Sequence, residues 1–80
     1  MIDSSLLKRI TSNPQIFGGK PIVRGMRISV ELALSQLAQG VGIKDLLEDY
    51  PALEREDVMA FLAYAHAVIA NDSLDNIRVG

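Results

Sequence analysis

Residues Gly18 to Ile28 read GGKPIVRGMRI, which places three glycines, a proline and the cations Lys20, Arg24 and Arg27 within eleven positions. Glycine turns beside cations suggest phosphate chemistry, because a P-loop cradles phosphate with backbone amides and a lysine. That motif requires G-x-x-x-x-G-K-[ST]. Here Gly19-Lys20 is followed by Pro21, which has no hydroxyl for a metal ion, and the position five before Gly19 is Pro14. A helix does not follow at once either, and Gly18-Gly19 lacks the spacing of a dinucleotide fingerprint. The stretch is therefore read as tight turns around short strands.

Other reactive constellations are equally weak. Nucleophilic catalysis needs a base beside the nucleophile. The one histidine, His66, lies in an apolar helical run with no carboxylate orienter in its sequence neighbourhood. It cannot form a metal cluster alone, and the chain has no cysteine to supply a thiolate site. The carboxylates of Asp45, Glu48, Asp49, Glu54, Glu56 and Asp57 fall on outer faces or first turns of predicted helices, which are solvated positions. The expectation is a non-enzymatic protein without a cofactor or metal.

Nucleic-acid binding fits the N-terminal half better. Lys8, Arg9, Lys20, Arg24 and Arg27 cluster there, and such side chains contact phosphates or read guanine. Lys20, Arg24 and Arg27 are the candidate contacts to DNA or another anionic partner. The net charge of −2 hides this asymmetry: residues 1–40 carry five cations against two anions, and residues 41–80 three cations against eight anions. Such polarity suits two different partners or head-to-tail self-association, and it is equally what an ordinary soluble surface can look like.

Which elements position these residues follows from length and patterning. Eighty residues make one domain, and a chain of this size buries only about 60–65% of its unfolded surface, so oligomerisation is the expected extra source of stability. With 5% aromatic residues in a chain that is 49% hydrophobic, the core must be aliphatic. No run approaches the roughly 20 apolar residues of a membrane span, and no secretory signal is visible, so a cytoplasmic location is expected.

Ile10–Ser12 and Pro21–Val23 read as short strands, with Asn13-Pro14, Gly18-Gly19 and Arg24-Gly25-Met26 as turns and Arg27-Ile28 placed to pair back. At Ser29, a good N-cap, the period becomes helical. Val30, Ala33, Leu34, Leu37 and Ala38 form one stripe, and Gly40 stops the helix. Ile43, Leu46, Leu47 and Tyr50 define a second helix of about two turns that Pro51 ends, and the short connection gives a helix-turn-helix pattern. A third helix is expected from near Glu54 to about Ala70. The fold class is thus mainly α, a three-helix helix-turn-helix-like core with short N-terminal β-structure. Residues 1–9 form a leading segment, 10–70 the domain, and 71–80 a polar tail with an apolar anchor expected at Leu74, Ile77 or Val79.

The third helix carries two apolar stripes. Val58, Phe61, Leu62, Ala65, Val68 and Ile69 make one, and Met59, Ala63, His66, Ala67 and Ala70 the other, with no charge between Val58 and Ala70. A helix apolar on both sides is buried on both sides. The second stripe is therefore expected at a homodimer interface. The alternative is a central helix wrapped by β-structure on one side and by the first two helices on the other.

These motifs together resemble the bacterial and archaeal family called domain of unknown function 433. The resemblance rests on Ile10-Thr11-Ser12-Asn13-Pro14, Gly18-Gly19-Lys20-Pro21, Arg24-Gly25-Met26-Arg27-Ile28, Asp49-Tyr50-Pro51 and Leu62-Ala63-Tyr64-Ala65, spanning residues 10–70. It implies a small helix-turn-helix-related, antitoxin-like regulator that pairs with a PIN-like nuclease toxin and binds operator DNA. The basic turn with Lys20, Arg24 and Arg27 carries over. Three positions depart from the family pattern: Met26 for Thr, Gly42 for a Ser N-cap, and Glu54 for the Ser/Thr cap of the third helix. An opposing reading is a pure protein-interaction module that never touches DNA. The third helix begins Leu53-Glu54-Arg55-Glu56-Asp57, which phosphates would repel, so DNA contact is expected through the basic β-turn region and not through a standard recognition helix.

Overall fold

In the computed structural model, which describes residues 4–71, a 3₁₀ helix (Ser4–Arg9) leads into strand β1 (Ile10–Thr11). A 3₁₀ turn (Phe17–Gly19) and strand β2 (Ile22–Val23) follow, and then helices α1 (Val30–Ala38), α2 (Ile43–Asp49) and α3 (Arg55–Asn71). The class is the expected one: three helices with a two-stranded antiparallel sheet at the N-terminal side. The tail positions Leu74, Ile77 and Val79 lie outside the described residues.

The strands pair Ile10 with Val23 and Thr11 with Ile22. After β2 the chain reverses sharply, with the Met26 N–H donating to the Val23 carbonyl at 2.8 Å. Arg24 (φ 46°) and Gly25 (φ 71°) occupy the two central positions, both left-handed, which is the pattern of a type I′ hairpin turn. Glycine accepts that conformation freely and arginine does not. The returning chain then pairs back through an Ile22–Ser29 bridge.

Local signals set the helix ends. The Ser29 hydroxyl accepts from the Leu32 N–H at 3.0 Å and caps α1. Gly40, at φ 94°, takes the left-handed position beyond its C-terminus. Gly42 precedes α2 without a side-chain cap, and α2 ends before Pro51. The leading 3₁₀ helix has no counterpart in the sequence reading. Six residues with only Leu6-Leu7 as an apolar pair show no period, and the helix is held by packing against α3.

The core gathers Val23, Val30, Ala33, Leu46, Leu53, Val58 and Phe61, so β2 and all three helices contribute to one cluster. Phe61 is fully buried at its centre. Among the described residues no helix is long and apolar enough to cross a membrane. Truncating Phe61 to Ala should cost about 3–5 kcal/mol, a large share of the stability of so small a domain. Equilibrium urea unfolding followed by circular dichroism measures it, and a loss under about 1 kcal/mol would mean that Phe61 is not central to the packing.

Candidate functional site

Two features of the surface carry functional information: a cluster of cations around one buried carboxylate, and an apolar groove.

The cluster is built on Asp57, in the first turn of α3, whose side chain is fully buried. Its Oδ1 accepts from Arg9 Nη1 at 2.9 Å and from Arg24 Nε at 2.9 Å. Its Oδ2 accepts from Arg24 Nη2 at 2.8 Å and from the Glu54 backbone N–H at 2.8 Å. The last bond is the backward half of a capping box: the third residue of the helix satisfies the amide of its N-cap. Glu54 stands where the family pattern has Ser or Thr, and the half of the box present here is the one that satisfies its own amide. Arg24 clamps the carboxylate with two parallel bonds, the strong geometry for such a pair. It also donates to the Ala52 carbonyl at 3.0 Å, and Arg9 reaches Glu54 Oε1 at 2.8 Å. Burial alone would push the Asp57 carboxyl up. Hydrogen bonds from Arg24, the Glu54 N–H and Arg9, with the Arg24 charge behind them, overcome it and hold the group below its ordinary value.

The three candidate anion-binding residues therefore differ in their surroundings. Arg24 is committed to Asp57, although about a third of its side chain still reaches solvent. Lys20 pairs with Glu31 at 2.9 Å, with both side chains mostly exposed, so the pair is easily exchanged. Arg27 is exposed and has no ion-pair or hydrogen-bond partner among the described residues. The geometry thus separates the three cations into one structural clamp and two accessible charges. Sequence reasoning missed Arg9 and Asp57 as a pair with Arg24. The only local signal was an acid three residues after Glu54, and nothing local links it to positions 33 and 48 residues earlier.

The second feature is a groove of about 380 Å³ between α1 and the C-terminal half of α3. Pro21, Val30 and Leu34 form one wall and Tyr64, Ala65, Val68 and Ile69 the other, and the Lys20–Glu31 pair closes the rim. Its origin lies in α3. Val58, Phe61, Ala65 and Val68 share one helix face at spacings of three, four and three. Val58 and Phe61 are fully buried, whereas Val68 is 44% exposed and Ile69, beside it, is 49% exposed. The core stripe runs past the body of the protein, and the groove is its uncovered end.

The second stripe is divided too. Ala63 is buried within the chain, and Met59 packs partly buried against the core. Ala67 is half-buried, while His66 and Ala70 are exposed. α3 is thus buried according to length as much as side: Val58, Phe61 and Ala63 are covered and Val68, Ile69 and Ala70 are open, while Leu62 of the first stripe is already 44% exposed partway along.

Comparison with known proteins places this arrangement. A family model described as "Protein of unknown function (DUF433)" matches residues 10–65. An uncharacterised protein, y4eO of Sinorhizobium fredii, is 38% identical over 58 residues, covering 72% of this chain and 26% of that protein. The chain therefore matches about a quarter of that curated relative. The crystal structure of a DUF433 member from Anabaena variabilis is 33% identical with a TM-score of 0.72, covering 80% of this chain and 63% of that one.

The clamp predicts an acid-sensitive fold. Because the Asp57 carboxyl titrates lower when folded than when unfolded, its contribution is complete above the ordinary carboxylate value and disappears as pH falls through the folded one. Asp57→Asn should remove roughly 3 kcal/mol near neutral pH, the lower edge for breaking a buried pair, since both arginines still reach water. The variant should also flatten the fall of the urea midpoint in acid. An unchanged midpoint or an unchanged acid slope would show that the clamp does not support the fold.

Proposed function

The chain belongs to the DUF433 family of proteins of unknown function, and from that premise we propose that it is a small antitoxin-like protein that acts by docking a protein partner rather than by catalysis. What supports the reading is the groove between α1 and α3. Apolar side chains form its walls, charge is confined to the rim, and it opens on a helix that carries no charged residue from Val58 to Ala70. Val68 and Ile69 on that face are 44% and 49% exposed, and burying apolar surface is the main return of protein association. The partner class is a PIN-like nuclease, as the family resemblance implies. The acidic surface of α2, which exposes Asp45, Glu48 and Asp49 against Lys44, favours a basic one.

A second reading, operator binding, is favoured by one observation. Arg27 is exposed and unpaired among the described residues, and Lys20 is held only by an exchangeable surface pair. Both flank the β-turn region, so DNA contact would come through that turn and not through the acidic start of α3.

The two readings separate experimentally. Co-expressed with the nuclease-type protein of the adjacent reading frame, the wild-type chain should retain it through affinity purification. Val68→Glu or Ile69→Glu should release it; a wild-type chain that purifies alone overturns the docking reading. For DNA, upstream sequence should shift at low salt, and Arg27→Ala should lower the salt dependence by about one released counterion. No shift with micromolar protein removes the operator reading and leaves docking intact.

A further inference from the structure

Phe17 is unusual twice over. Its side chain is 49% exposed, and its backbone sits at φ 50°, a left-handed conformation that a bulky residue rarely adopts. Glycine at this position would relieve both costs, and two glycines follow directly. The turn is nevertheless well defined. The Ile16 N–H donates to the Asn13 carbonyl at 2.8 Å, the Gly19 N–H to the Ile16 carbonyl at 3.0 Å, and the Lys20 N–H to the Phe17 carbonyl at 3.2 Å. Ile16 is buried beneath it. An exposed aromatic held on an ordered, strained turn is the form of a binding anchor.

The surface that fits this anchor is on the same molecule. The α1/α3 groove is apolar and measures about 380 Å³, whereas a cavity of roughly 150 Å³ already accepts benzene. Phe17 lies four residues before Pro21 in the groove wall, so knob and groove are within about 14 Å along the chain. We propose that the groove is filled by Phe17 of a second copy of this chain, each copy inserting its knob into the other's groove across a two-fold axis. Reciprocal insertion about a two-fold axis fills both grooves and closes the assembly at a dimer, where one-way insertion that does not close would propagate into a chain of copies. Charge is compatible with the exchange. Lys20 travels with the knob and Glu31 with the groove, and the exposed ion pair they form within one chain can form again between chains. The proposal deepens the reading of the groove as a docking face and rests on it. A heterologous partner of the groove then competes with the dimer.

Sedimentation equilibrium of the purified chain tests this. The wild type should dimerise, and Phe17→Ala and Val68→Glu should each raise the dimer dissociation constant about tenfold or more, as loss of a central aromatic contact does. Mixed together, the two variants should associate again as a heterodimer, because the Phe17 of V68E meets the intact groove of F17A. Ile69→Glu repeats the groove arm should V68E fold poorly by circular dichroism, and Phe17→Cys mixed with Val68→Cys should form an intermolecular disulfide on oxidation. A wild type that stays monomeric at all concentrations, or an F17A variant that dimerises like wild type, overturns the proposal. Partner capture distinguishes its failure from that of the docking reading. F17A should capture the co-expressed nuclease-type protein at least as well as wild type, whereas V68E should lose both associations.

Discussion

Everything in this small fold converges on the carboxylate of Asp57. Its two oxygens accept four hydrogen bonds, the full capacity of an ionised carboxylate. The four donors come from the end of the leading 3₁₀ helix, the β-turn after β2, and the N-cap of α3. Three segments that are distant in sequence are thereby fixed around one point. Taking a charge out of water is expensive, and the arrangement is tolerable only because no lone pair is left unused and both arginines keep contact with solvent. Removing the arginines would leave the buried carboxylate without its partners, whereas removing Asp57 leaves two arginines that still reach water.

The clamp also accounts for the strained residue in the hairpin. Arg24 holds a left-handed conformation that asparagine or glycine would take more readily. Its side chain is what Asp57 needs: a planar fork that reaches both oxygens while a third bond goes to the Ala52 carbonyl. Backbone strain in the turn is thus offset by charge-assisted bonds at the start of α3. A motif that reads from sequence as a basic patch serves in part as an internal brace.

This division marks how far the sequence could be read. Features decided within a few residues were legible: the Ser29 cap, the Gly40 stop, the end of α2 before Pro51, and both short strands. Each rests on a local steric or hydrogen-bonding rule. The leading 3₁₀ helix was not legible, because its stability comes from α3 packing and not from its own pattern. Nor was the pairing of Arg24 with Asp57, since charges 33 positions apart carry no periodic signature. The two stripes of α3 were legible as apolar, but periodicity reports only the angle around a helix. It says nothing about how far along the helix the rest of the chain reaches. Ala63 is consequently buried in the chain's own core while Val68, on the stripe assigned to that core, is open.

That open end follows from size. Seventeen residues of α3 extend about 25 Å, longer than the elements that pack on it: α1 with nine residues and α2 with seven. Among the described residues, the elements packed on α3 do not reach its C-terminal end, and Val68 and Ile69 stay about half exposed there. Any ligand that binds only the folded form stabilises it in proportion to the logarithm of its concentration over its dissociation constant. For a marginal fold, an occupant of the groove therefore completes the core as well as being recognised by it. Under the proposed docking, stability and association would be linked through the same few side chains, Tyr64, Ala65, Val68 and Ile69. The clamp at the other end of α3 ties the start of that helix to the leading 3₁₀ helix and to the turn after β2.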